Sequence, residues 1–114
     1  MWPEAAKYLF DIQRAAALIA SFCAAKSFDE YRADDLLKSG VERQFMIVGE
    51  ALSQLARVAP EVAERVAAFR QIIAFRNILV HGYASVDDKI VWGVVETSLL
   101  PLRESVDALL DECQ

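Results

Sequence analysis

The sequence predicts an all-α fold, an up-and-down bundle of four to five helices. Three observations lead there. Apolar residues recur at spacings of three and four almost throughout, Gly and Pro number only four and three in 114 residues, and the few turn signals divide the chain into segments of helical length. Helices of about 20 residues are about 30 Å long, and short connections between them favour an up-and-down arrangement. Residues 1–114 read as a single helical domain, because a chain of this length does not divide into two ordinary ones.

The first helix runs over Glu4 to Ala24, where Tyr8, Leu9, Ile12, Ala16, Ile19, Phe22 and Cys23 form one face. Ser27 and Glu30 have the spacing of a capping box, and Asp34 and Asp35 suit a helix N-terminus. The chain therefore restarts after a short turn, and the second helix continues to about Val58 on a face of Leu37, Val41, Phe45, Val48, Leu52 and Leu55. Gly40 lies inside that pattern at a cost of about 1 kcal/mol relative to Ala, and a break there is the competing reading. Pro60 fits the first turn of a third helix, Glu61 and Glu64 complement its dipole, and Gly82 ends it. Ser85 with Asp87 or Asp88 caps a fourth helix. Its apolar residues Ile90, Val91, Val94, Val95 and Leu99 continue toward Leu102, Val106, Leu109 and Leu110, and Pro101 kinks or splits it. Gly49 and Gly93 suit close helix approach, and Trp2 and Trp92 suit packing or an interface.

Composition narrows the function classes. Counting Gly and omitting Tyr, about 56% of residues are apolar, above the 45–50% of typical chains, so either the core is dense or an association face is exposed. Two cysteines far apart, no CxxC pair and one histidine argue against a zinc site or a disulfide scaffold, and neither metal nor cofactor is expected. The uncharged stretch Ala15 to Ala25 is shorter than the roughly 20 residues a bilayer requires, and Glu4 and Asp11 offset Lys7 and Arg14, leaving no positive leader. A cytoplasmic protein without a membrane partner is the expectation. The net charge of −5 opposes nucleic-acid binding over the whole surface. Its distribution is uneven: from Arg43 to Tyr83 five Arg face three Glu, a local +2 against −7 elsewhere.

One segment concentrates chemistry. Arg76, Asn77, His81 and Tyr83 stand in an otherwise apolar helix end, and His81 is the only histidine. Asn77 and His81 lie about 40° apart on a helix, whereas Arg76 and His81 lie about 140° apart. Arg76 is forked and permanently charged, matched to phosphate oxygens and to charge developing in phosphoryl transfer. The C-terminal end of a helix favours a positive side chain, which suits His81 as a proton donor. Asn77 suits orienting the imidazole or holding a phosphate oxygen, and Tyr83 offers a ring for a base or a hydroxyl for modification. Metal-free RNA cleavage through the ribose 2′-OH needs both a base and an acid. One histidine does not readily fill both roles, but a twofold dimer supplies two.

This segment resembles the HEPN superfamily, and its HepT-like branch in particular, whose pattern is Arg, four residues, His, any residue, Tyr. Arg76, His81 and Tyr83 meet it in full, with Asn77 as the polar residue after the Arg. Ile47, Val48, Gly49, Glu50 and Ala51 look like the family's IGEA-type stretch, and Val86, Asp87, Ile90, Val91 and Trp92 look like its post-motif helix start. The likeness covers about Phe28 to Leu110; Ala68 and Phe69 replace a Pro-Trp-like entry, and Gly40 interrupts the second helix. The resemblance implies a homodimeric, metal-independent ribonuclease toxin acting on RNA through catalytic Arg76, His81 and Asn77. It also implies a nucleotidyltransferase antitoxin that attaches AMP to Tyr83. The alternative is a non-catalytic helical scaffold for such a nucleotidyltransferase.

Overall fold

A computed structural model describes residues 3–82 and 85–113. Seven helices and no strand occur among the described residues, in agreement with the all-α expectation and with more divisions than it anticipated. Helix α1 (Pro3–Cys23) buries Ala5, Leu9, Ile12, Ala15, Ala16 and Ile19, the face read from its periodicity. Phe22, also assigned to that face, stays partly exposed.

The segment expected as one second helix is two. Ser27 and Glu30 form the reciprocal capping box, with bonds of 3.1 and 2.9 Å, and start the short α2 (Phe28–Ala33). The chain then extends at Asp34, whose carboxylate accepts from the Leu37 N–H at 3.0 Å and starts α3 (Asp35–Val58). Helix α3 runs unbroken through Gly40. A Cβ there would stand 3.3 Å from the Phe22 ring, so Gly40 seats an aromatic side chain of α1 and does not interrupt the helix.

The expected third helix is also divided. Pro60 begins only a single turn, α4 (Pro60–Ala63), followed by turns to Ala68, which adopts a left-handed conformation at φ 62°. That geometry costs roughly 1–2 kcal/mol for a residue with a Cβ. Burial of Val62, Ala63 and Val66 beside it offsets the cost. The Ala67 N–H is satisfied by the Ser105 hydroxyl at 2.9 Å, which itself donates to the Leu102 carbonyl. Only then does α5 (Phe69–His81) begin, with Gly82 as its C-cap as expected. Asp87 caps α6 (Asp88–Thr97) by accepting from the Lys89 N–H at 2.9 Å. Pro101 splits the last segment as anticipated: it sits in the first turn of α7 (Leu99–Glu112), where no intrahelical donor is missed.

Phe22 meets α3 at Gly40, whereas Tyr8 shares a groove with Ala51 and Gln54, so α1 and α3 run antiparallel. Helix α5 packs on α3, α7 on α1 and α6, and α2 on α3 and α6. Phe45 meets Phe75 edge-on at 5.2 Å to join α3 to α5, and Trp92 packs on Tyr31 at 5.3 Å, the packing role expected of it. Trp2 lies outside the described residues. With extents of 44 × 29 × 19 Å, the protein is only about two helix diameters deep in its thinnest direction, which leaves helix faces in solvent.

The two interior glycines separate sharply. A Cβ on Gly49 would stand 2.2 Å from the Arg76 Cβ, so α3 and α5 touch nearly backbone to backbone. At Gly93 nothing lies within 4 Å, which corrects the expectation of close approach there. Gly49→Ala is expected to lower the unfolding free energy by about 1–3 kcal/mol, since the helices must part. Gly93→Ala is expected to raise it by up to about 1 kcal/mol through helix propensity. Urea unfolding of both variants checks the contrast.

A charged cluster anchors the start of α6. Lys38 reaches Asp88 at 3.3 Å, and burial, then the Asp88 carboxylate, push the nearby Glu42 above the usual carboxylate range against the opposing pull of Lys38. A carboxyl raised in the folded state costs stability as pH rises from its unfolded value through its folded one. Glu42→Gln is therefore expected to raise the melting temperature at pH 7, with the gain disappearing below about pH 4, where both side chains are neutral.

Candidate active site

Helix α5 divides its residues between three surroundings. Ile72, Phe75 and Leu79, three and four apart, enter the core and fix the rotation of the helix. Ala74, Asn77, Ile78 and His81 form the opposite, exposed stripe. Arg76 falls at the edge between them and is half-buried.

The stem of Arg76 lies directly over Gly49, and its guanidinium emerges into a groove of about 370 Å³ between α1, α3 and α5. Its Nη2 donates to Glu50 Oε1 at 2.7 Å and its Nη1 to Asn77 Oδ1 at 3.0 Å. The other Glu50 oxygen accepts from Gln54 Nε2 at 3.1 Å. Nε of Arg76 is buried without a partner, so only the Nη edge of the fork faces the groove. Tyr8, Asp11, Arg43 and Val80 complete the lining that matters chemically. Two arginines are thus balanced by two carboxylates, and the local positive charge expected from the sequence is neutralised at this point.

The structure joins Arg76 to Asn77 but places His81 apart from them. His81 is the last residue of α5, exposed, and absent from the groove lining. Among the described residues no hydrogen bond links it to Asn77. The angular separation of Arg76 and His81 on the helix is therefore realised: one points toward α3, the other toward solvent. Tyr83, the expected modification site, lies outside the described residues. Beside the exposed stripe runs a shallow apolar furrow between α5 and α6, where Phe75, Ile78, Ile90 and Val94 take part. Ile78 and Ile90 are each 48% exposed.

Arg43 and Gln54 were not singled out by sequence reasoning. Arg43, Ile47, Glu50 and Gln54 recur at spacings of four, three and four, a second stripe on α3 flanking its apolar face. That stripe was the available signal, but the facing residues Tyr8 and Asp11 come from another helix and carry none.

A family model described as ribonuclease HepT-like matches residues 12–109, nearly the whole chain and all of the Arg76 to His81 segment. The chain belongs to the HepT-like ribonuclease family. The match begins within α1, further toward the N-terminus than the likeness read from about Phe28. Among relatives, a HepT-like protein of Thermococcus cleftensis named probable ribonuclease HepT is 28% identical over 106 residues, 90% of this chain and 92% of that one. A protein of Methanocaldococcus jannaschii provisionally named an RNase is 24% identical over 100 residues, 88% of this chain and 91% of its own. No solved structure matches the chain at a comparable level of significance. No described helix is long and apolar enough to cross a membrane.

The Arg76 and Glu50 side chains are 27% and 50% exposed, so water screens their attraction. A double-mutant cycle on Arg76→Ala and Glu50→Ala, read by urea unfolding, is expected to give a coupling of no more than about 1 kcal/mol. A coupling of several kcal/mol would mark the pair as a structural pillar.

Proposed function

We propose that this HepT-like protein acts as a single helical domain that dimerises and cleaves RNA without a metal ion, as the toxin of a toxin–antitoxin pair. The observation that carries this reading is the arrangement of α5. A guanidinium held by Glu50 and Asn77 sits on one side, and the only histidine sits on an exposed stripe beside apolar Ile78. A second copy packed on that stripe would bury Ile78 and bring two His81 side chains toward one axis.

In such a site one His81 removes the proton from a ribose 2′-OH, and the oxygen attacks the adjacent phosphorus. The bond to the 5′-oxygen breaks, the other His81 protonates that leaving oxygen, and a 2′,3′-cyclic phosphate and a 5′-OH remain. Arg76 stabilises the charge on the phosphorane, and Asn77 orients the site by holding Arg76. A nucleotidyltransferase antitoxin attaching AMP to Tyr83 would set negative phosphate near the same cations and exclude RNA. The cytoplasm is the compartment where RNA and such a partner meet this chain.

Arg76→Ala and His81→Ala are each expected to lower cleavage of a mixed RNA by about 10²–10⁴-fold, with helix content by circular dichroism unchanged. Cleavage by both variants at the native rate would overturn the catalytic reading. RNA left intact by the native dimer would favour a scaffold for the nucleotidyltransferase. Intact mass after co-expression with that partner tests the modification, as an AMP-sized increment mapping to Tyr83.

A further inference from the structure

Arg76 is only partly open to a phosphate in this structure, because each terminal nitrogen already gives one of its two N–H groups to a neighbouring side chain. Its Nε is buried, and both terminal nitrogens that face the groove already donate, one to Asn77 and one to the Glu50 carboxylate. Glu50 is itself held from behind by Gln54, so the carboxylate is fixed on both oxygens. Gly49, next to it in the chain, clamps the Arg76 stem from beneath. Three consecutive features thus determine where the guanidinium stands: no side chain at residue 49, an acid at residue 50, and an amide four residues further on.

We propose that Glu50 is a positioning residue that both aims Arg76 and competes with the RNA phosphate for it. The proposal rests on the ribonuclease reading of the site. A phosphodiester in the ground state carries one negative charge and must displace or share the guanidinium with a carboxylate of equal charge. The phosphorane formed by 2′-oxygen attack carries more charge on its equatorial oxygens and competes better. Glu50 therefore weakens binding of substrate more than binding of the transition state, the differential that favours turnover over tight association. The half-exposed pair is weak enough to yield to a phosphate and directional enough to hold the fork until one arrives.

The test uses the native dimer, Glu50→Gln and Glu50→Ala. Glutamine keeps one acceptor oxygen for Arg76 and removes the charge; alanine removes both. Glu50→Gln is expected to lower KM for a short RNA by about 3- to 10-fold with a smaller effect on kcat, since competition is lost and aim is kept. Glu50→Ala is expected to lower kcat by about 10-fold or more, since the guanidinium is no longer aimed. Equal losses of kcat in both variants, or native values in both, would overturn the proposal.

A second readout needs no cleavage. Modification of Arg76 by phenylglyoxal, followed by peptide mass in the absence of RNA, is expected to be several-fold faster in both variants than in the native protein. An unchanged rate would overturn the masking of Arg76 whatever the RNA assay shows. A native protein that cuts no RNA while its variants show the faster modification would sink the ribonuclease reading and leave the clamp standing.

Discussion

Between Gly49 on α3 and Arg76 on α5 there is no room for one further carbon atom, because a Cβ at the glycine would stand 2.2 Å from the arginine's own. This contact sets the rotation of α5 together with the burial of Ile72, Phe75 and Leu79. Once the helix is so turned, Arg76 must enter the groove beside α3, where Glu50 lies within 2.7 Å of its fork. Asn77 and His81 must then face away from the core. The position of each polar group follows from the absence of one side chain.

That rotation also underlies the proposal that two chains share one site. Five residues along a helix turn about 140°, so the guanidinium aimed at α3 and the imidazole leave α5 in different directions. The exposed stripe with His81 carries Ile78, and the furrow beside it carries Ile90, both about half in solvent, while Phe10, Leu36 and Leu100 are more exposed elsewhere on the bundle. Part of the exposed apolar surface thus lies on the same side of α5 as His81. The groove itself carries no net charge, since Arg43 and Arg76 stand against Asp11 and Glu50, so a phosphate there would meet one oriented guanidinium and not a broad positive field.

Much of this was legible in the sequence because it depends on near neighbours. The inward faces of α1 and α3, the Ser27 and Glu30 capping box, the stop at Gly82 and the division before Pro101 all rest on contacts within a few residues. The Arg76, Asn77 and His81 pattern was legible for the same reason. What escaped depends on partners distant in the chain. The left-handed Ala68 persists because Ser105 of α7 satisfies the neighbouring Ala67 N–H, and no local propensity announces that. Gly40 reads as a breaker until Phe22 of α1 is seen against it, and Gly93 reads like Gly49 until nothing is found beside it. The groove lining comes from α1, α3 and α5 together, which is why Arg43 and Gln54 carried no signal strong enough to single them out.

The claim on which the account turns is that two chains build one cleaving site. Native chains mixed with His81→Ala chains, unfolded and refolded together at varied ratios, test it most directly through RNA cleavage per total protein. If both histidines of a dimer are needed, activity follows the square of the native fraction and falls to about one quarter in an equal mixture. A linear fall, to about one half at that point, would show that each chain cleaves alone and would contradict the shared site.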